Sequence, residues 1–428
     1  MTGLQNTFLI LLFSISGLFA QQNSLKEEAL GEFEKEHYDN AIDLLEKALG
    51  ESPDDAEIYY YLGFFNHYRA YDSRPLKGYN FEYSNEIFKY LDKAIELDPN
   101  YGNAKYFYGA ECSGNAFVSM QNYDLDKLKY FYKLAYDKGA YPKWLLEFGR
   151  NMLNSCAKDA IMFTAGNADF DVCTYLQLHE NFRNDITIIP IGNIDRPWYI
   201  NFLKNGLQGG VRPIQLSLTK DQIFDMHPFK WRETIITIPV NKILQEKYNV
   251  ENTDSMQWLV KPDLKSDRDH SKIEGQEVKK RTYLSPRIAM LLQIVEDNFE
   301  ERPIYGSNLG YPFFYAGLDK FFESSGFVSR LTPVKTAGTE FEYDFENIEK
   351  LLQKDNLKDY SSVKESNIPR ISGIAFVYHR VLVELATYYK ENNELDKLED
   401  LKKFYSDYLE IGFNDKNEKY YLEKLEEL

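Results

Sequence analysis

Cysteine is scarce in this chain of 428 residues: there are three, Cys112, Cys156 and Cys173. Three do not make a disulfide scaffold. One pair can join in an oxidising compartment and leave a third thiol, but three buried thiols is the preferred reading. Basic residues are also short, 50 Lys and Arg against 67 Asp and Glu, which leaves a net charge of −17. That excludes a surface built to track nucleic-acid phosphates and gives no support for docking on anionic lipid. After the first twenty residues no window is long and apolar enough to span a bilayer. Catalytic motifs are missing as well. There is no His-Glu-x-x-His, no P-loop, no Gly-x-Ser-x-Gly and no paired Cys-x-x-Cys. The six histidines, His37, His67, His179, His227, His270 and His379, stand without metal-ligand spacing. No catalytic residue, cofactor or metal is expected, and the reading leans away from an enzyme.

What is present begins with a charge-free start. Phe8 to Phe19 is apolar apart from Ser14, Ser16 and Gly17, and Ala20 precedes Gln21-Gln22. This pattern predicts an export signal over 1–20, cut after the small residue Ala20, and hence a periplasmic or envelope protein. The remaining length calls for two or three domains.

A repeat follows. Tyr38-Asp39-Asn40-Ala41-Ile42 leads through Leu45 and Ala48 to Pro53; Tyr59 and Leu62-Gly63 lead through Leu91 and Ala94 to Pro99. Small residues recur where two helices of a hairpin touch, and a proline closes each unit. Three helical hairpins are expected, at about 24–53, 56–99 and 102–140. The pattern resembles the tetratricopeptide repeat, whose standard unit has about 34 residues. The stretch from Pro53 to Pro99 exceeds that by about a dozen. The surplus lies in an insert, Asp72 to Phe81, whose Arg74, Tyr79 and Phe81 are candidate partner-binding residues. The abundance of aromatics, 33 Tyr and 29 Phe, suits the wide seams of stacked helices.

The period then changes. Apolar runs at Ala160–Thr164, Asp185–Gly192 and Arg302–Tyr305 read as strands, with helices at Val172–Phe182, Trp198–Leu207 and Pro286–Phe299. Further strands are expected at Thr234–Val240, Met256–Val260 and Phe327–Val334, and a helix at Phe314–Glu323. The alternation predicts a mostly parallel, helix-covered sheet. From about Asp344 the chain is helical again and ends in a polar cap. The expected architecture is an N-terminal α-solenoid over 21–150, an α/β domain over 155–340 and a helical region over 341–428.

In a parallel sheet, ligands bind beyond the carboxyl ends of the strands. Three such ends carry polar residues: Asn167, Asp169 and Asp171; Asn193, Asp195 and Arg196; and Ser307 with Asn308. This crest suits sugar hydroxyls or a hard cation. Asp and Asn at these places also cap the helices that follow, and capping is the reading we take for at least one of Asp169 and Asp195.

Asp159 to Asp169, Asp185-Ile186-Thr187-Ile188, Trp198-Tyr199-Ile200 and Arg302-Pro303-Ile304-Tyr305 together resemble the soluble tail of Bacteroidota membrane proteins related to protein O-mannosyltransferases. The resemblance spans roughly 155–335. That tail carries an acidic Asn-Gly-Asp-Asn-Asp-Thr loop, of which only Gly166 and Asp169 stand here. The membrane transferase part is missing from this sequence. The resemblance implies an envelope setting and a link to glycans, not transferase activity. Asp254-Ser255-Met256 is similar to the acceptor that those bacteria O-glycosylate, which makes Ser255 a candidate modification site. The whole reads as an exported scaffold that binds an envelope protein through its repeat groove, or alternatively as a glycan-binding or glycosylation accessory that acts through the crest.

Overall fold

A computed structural model describes residues 25–72, 81–250, 253–265, 281–307, 315–335, 344–353, 356–365, 371–406 and 416–428. The chain divides into two compact units. The first holds residues up to Asn115 together with Leu134–Tyr141; the second holds Ala116–Lys133, Pro142–Glu365 and Arg370–Leu428. Among the described residues no helix is long and apolar enough to cross a membrane.

The first unit is helical: α1 (25–34), α2 (Tyr38–Glu51), α3 (Ala56–Asp72) and α4 (Ser84–Leu97), followed by the first part of α5 (Gly102–Gln121) and the end of α6 (Leu125–Asp137). The small residues do what their spacing predicts. Ala41, Ala48 and Ala94 are fully buried. Gly63 lets α3 close on α4, since a Cβ there would meet the Leu91 side chain at 3.0 Å. A Cβ on Gly109 would meet that of Ala140 at 2.8 Å. Such contacts let helices approach closely enough to bury a continuous apolar seam, at about 1.5–3 kcal/mol for each large aliphatic or aromatic side chain. Ala29, Ile42, Leu45, Ile58, Leu62 and Phe65 form that seam.

The second unit is α+β. Helix α7 (Lys143–Ser155) leads into β1 (Ile161–Thr164), α8 (Asn167–Glu180), β2 (Thr187–Pro190) and α9 (Pro197–Asn205). Next come α10 (Lys220–Phe224), β3 (Phe229–Lys230), β4 (Thr234–Pro239), α11 (Lys242–Tyr248), β5 (Ser255–Val260), β6 (Leu264–Lys265) and β7 (Arg281–Leu284). Then follow α12 (Pro286–Asn298), β8 (Ile304–Ser307), β9 (Phe322–Ser324) and β10 (Val328–Leu331). Helices α13 (Phe345–Leu351), α14 (Ile371–Glu391), α15 (Leu395–Phe404) and α16 (Lys416–Glu427) close the chain. A Cβ on Gly149 would meet Val172 Cγ1 at 2.7 Å, so this glycine sets the close packing of α7 on α8. Phe327 and Tyr360 stack around Tyr378 of α14, at 4.7 and 4.2 Å between ring centroids.

The central sheet has the order β2-β1-β8-β10-β9. Strand β1 runs parallel to both neighbours, with Ile161 opposite Thr187 and Ile304. The mostly parallel sheet predicted above is not what forms. Strand β10 pairs antiparallel with β8 and with β9, and the β3-β7-β6 and β4-β5 sheets are antiparallel too. The reason lies at 314–323, read from the sequence as a helix. Gly317 takes φ +90°, only a 3₁₀ turn follows at Leu318–Phe321, and Phe322 enters a strand. With no helix to cross over, the chain returns through a tight turn at Gly326 (φ +89°), closed by Ser325 N–H donating to Val328 O at 2.9 Å. A short turn permits only antiparallel pairing. The three cysteines are buried and none is in a disulfide.

Candidate functional site

The carboxyl ends of β1 and β8 meet at the point where the chain order reverses, the place a parallel sheet offers to ligands. Here the protein fills it with its own groups. Asp169, fully buried, accepts the N–H of Ala165 at 2.8 Å, of Gly166 at 2.8 Å and of Phe170 at 3.0 Å. The Ser307 hydroxyl adds a further hydrogen bond. Burial pushes the Asp169 pKa up, and these four donors pull against it. The carboxylate sits in the first turn of α8, where the helix dipole also favours it. Tyr315 lies over Gly306, whose Cβ, if present, would meet the phenol oxygen at 2.6 Å.

Of the other crest residues, Asn167 opens α8. Asp171 faces elsewhere and accepts the Tyr132 hydroxyl at 3.2 Å. Asp195 pairs with Arg287 of α12 at 3.0 Å, half exposed. Arg196 is exposed at the start of α9. Asp169 and Ser307 are thus brought together, while Asp195 has its own partner. Asn308 lies outside the described residues. Ser255 starts β5, partly exposed, and accepts from Gln257 Nε2 at 3.0 Å. Among the described residues no cluster of three or more His, Cys, Asp or Glu is arranged to hold a metal.

The amino ends of the same strands carry a constellation that sequence reasoning missed. Arg302 is 7% exposed and donates to Asp159 O at 2.7 Å, Pro213 O at 3.0 Å, Ala160 O at 2.9 Å and Thr187 Oγ1 at 2.8 Å. Burial pulls its pKa down to about 10. Arg183 donates to Leu153 O at 2.7 Å, Cys156 O at 3.0 Å and Ala157 O at 3.0 Å and pairs with Asp185, whose pKa that hydrogen bond holds down at about 2. Arg212 pairs with Asp159. These residues are far apart in sequence and form no motif. Only the resemblance quoted above touched them, at Asp159, Ala160, Asp185, Thr187 and Arg302, without assigning them to one cluster.

In the helical unit, rings from three helices line up: Phe33 lies 5.4 Å from Phe64, and Phe64 lies 5.0 Å from Phe107. Tyr60 lies 5.4 Å from Tyr101, and Tyr68 is 41% exposed. Beside them Glu111, buried, accepts from the Ser84 hydroxyl and pairs with His67 Nδ1 at 2.8 Å. Of the insert, Phe81 packs against Gly114 of α5. Arg74 and Tyr79 lie outside the described residues.

Residues 145–287, about a third of the chain, match the family model described as TMEM260-associated domain 2. The match fits a relationship to TMEM260, a protein related to protein O-mannosyltransferases. No curated protein gives a significant match.

Proposed function

We propose that this is an exported, non-enzymatic scaffold of the cell envelope, whose tetratricopeptide-type array binds a protein partner. The observation that carries the reading is the exposed Tyr68 ring, seated on Phe33 and Phe64 at 5.2 and 4.9 Å, at the edge of the line of rings Phe33, Phe64 and Phe107 that the first helices of three successive hairpins pack into the seam. In stacked repeats, equivalent helices line one continuous face, and aromatic residues there supply large contact area at low entropic cost. The finer resemblance, to the soluble tail of Bacteroidota membrane proteins, supports the envelope setting and a link to glycan export. The carboxyl-end crest supports a ligand role less well, because Asp169 and Ser307 spend their polar atoms on each other and on the backbone.

The test is affinity capture of the full chain from its own envelope fraction, with amino-terminal sequencing of the captured material. A start at Gln21 and one defined partner, lost in Tyr68→Ala while the melting temperature holds, is the expected result. A start at Met1 in the cytoplasm, or a partner indifferent to Tyr68→Ala and Tyr60→Ala, overturns it.

A further inference from the structure

We propose that the amino ends of β1 and β2 carry a carbohydrate site, in the pocket framed by residues 205–213 and Asn184. The pocket encloses about 390 Å³, within the usual range for small-molecule sites. Its walls are Asn184, Asn205, Gln208 and Arg212 together with the backbone of Gly209 and Gly210.

The frame is rigid. Leu207 N–H donates to Val211 O and Val211 N–H to Leu207 O, both at 2.8 Å. Gly206 takes φ +67°, and a Cβ there would meet Pro213 Cδ and Val211 O at 2.8 Å, so only glycine closes this turn. Pre-formed walls lower the entropic cost of holding a ligand.

The chemistry of the walls selects the ligand class. The one charged side chain, Arg212, is already matched by the Asp159 carboxylate, so an anion finds no spare cation. The remaining groups are carboxamides: Gln208 donates and accepts at once, matching a hydroxyl's own dual character, while Asn205, whose amide hydrogens are spent, and Asn184, which gives one to Asn181 Oδ1, add acceptor oxygens. Gln208 is exposed, and its side chain makes no hydrogen bond among the described residues. Asn205 is held in place by donating to Asn201 O at 2.8 Å and to the Tyr123 hydroxyl at 3.2 Å. That tyrosine is 41% exposed, and its ring rests on Phe202 at 5.4 Å. Bonded to Asn205 at the pocket's edge, this exposed ring offers an apolar surface to one side of a sugar whose hydroxyls the carboxamides bind. Neutral, polyhydroxylated and about one or two rings in size is the ligand that fits.

A second observation marks this end of the sheet. Asp159 and Arg183 take positive φ, +62° and +48°, outside any helix cap, whereas Asn181 (+53°) is the left-handed cap of α8 and Tyr123 (+55°) turns the chain at the end of α5. Backbone held in this region costs on the order of 1–3 kcal/mol per residue and gathers at ligand sites. For a bulky tyrosine the conformation is an outlier.

The test is saturation-transfer NMR on the full chain with methyl α-mannoside, methyl β-glucoside, methyl β-galactoside and N-acetylglucosamine, and with inorganic phosphate as the anionic probe. Transfer to at least one sugar is expected, weakened at least tenfold by Gln208→Ala and by Tyr123→Ala. Gln208→Ala leaves the melting temperature unchanged, because its side chain supports nothing else. No transfer to any of the four sugars overturns the proposal. So does binding that Gln208→Ala leaves intact, or phosphate binding in place of sugar. None of these outcomes bears on the partner of the helical array.

Discussion

Strands β2, β1 and β8 end in two chemically opposite places. At their carboxyl ends a buried carboxylate, Asp169, collects backbone N–H groups; at their amino ends a buried guanidinium, Arg302, feeds backbone carbonyls. Among the described residues neither charge sits in an ion pair with a side chain. Each is matched by the opposite pole of the peptide backbone, which strands and helices leave unpaired where they stop. Charged residues at a sheet end are therefore poor evidence of a ligand site when the backbone already consumes them. The uncommitted groups beside them are better evidence. At the carboxyl end Asp169 and Ser307 are spent on one another and on the backbone; at the amino end Gln208 is not.

Arg302 carries the largest expected effect. Replacing it with methionine keeps the volume and removes the guanidinium donors, leaving the carbonyls of Asp159 and Pro213 without their bonds, while Ala160 O keeps the Thr187 N–H at 2.9 Å. Each buried acceptor left alone costs about 1–3 kcal/mol. Arg302→Met is expected to cost about 3–5 kcal/mol, read as the midpoint of urea unfolding, and Arg302→Lys to recover part of it. A loss below about 1 kcal/mol would mean that water reaches these carbonyls, and the amino end would not be the sealed counterpart described here.

Asp169→Ala is the matching change at the other end. It strips the Ala165 and Gly166 N–H groups of their acceptor at the start of α8, while the Phe170 N–H keeps Gly166 O at 2.8 Å. A cap of this kind is worth about 1 kcal/mol when exposed, and burial raises the cost to about 2–3 kcal/mol. Asp169→Asn, which keeps one acceptor oxygen, is expected to lose less. Melting curves at neutral pH separate the three proteins, and an unchanged curve for Asp169→Ala would reopen the crest as a ligand site.

How much of this was legible follows from what each element needs. The small-residue pattern at Ala41, Ala48, Gly63 and Ala94 is local, and it placed the helical seams. Strands β1, β2 and β8 show as short apolar runs stopped by Gly or Pro. Strand β9 did not, because Leu318-Asp319-Lys320-Phe321-Phe322-Glu323 has helical spacing, and the turn at Gly317 outweighs it. With that helix went the predicted crossover and the parallel sheet. Asp169 was visible as a candidate, and its spacing of three from Gly166 also marks a capping position. The arginine end was invisible. Arg183, Arg212 and Arg302 bind main-chain carbonyls, and carbonyls leave no trace in a sequence.

A third buried charge has neither arrangement. Glu147 of α7 is 5% exposed. One carboxylate oxygen accepts the Asp359 N–H at 2.8 Å, while the other, Oε1, is buried and has no partner among the described residues. Lys358, Asp359 and Tyr378 are the ionisable groups whose charge bears on it or that respond to its charge. Burial is the largest cause of its raised pKa, about 7 against an ordinary 4.5. The sign follows from proton binding. Between pH 4.5 and 7 the folded protein holds a proton that the unfolded chain releases, so stability falls as pH rises through this window. Above pH 7 both states are ionised and the full cost of the buried charge remains. Below pH 4.5 both are protonated and the cost is gone. Glu147→Gln keeps the acceptor for Asp359 and removes the charge, at the expense of one unpaired amide. The variant is expected to be about 2 kcal/mol more stable at pH 8, with the difference shrinking toward pH 4.5. Urea titrations at pH 5, 6, 7 and 8 give the slope directly. A variant that tracks the parent protein at every pH would show that Glu147 is as well matched as Asp169.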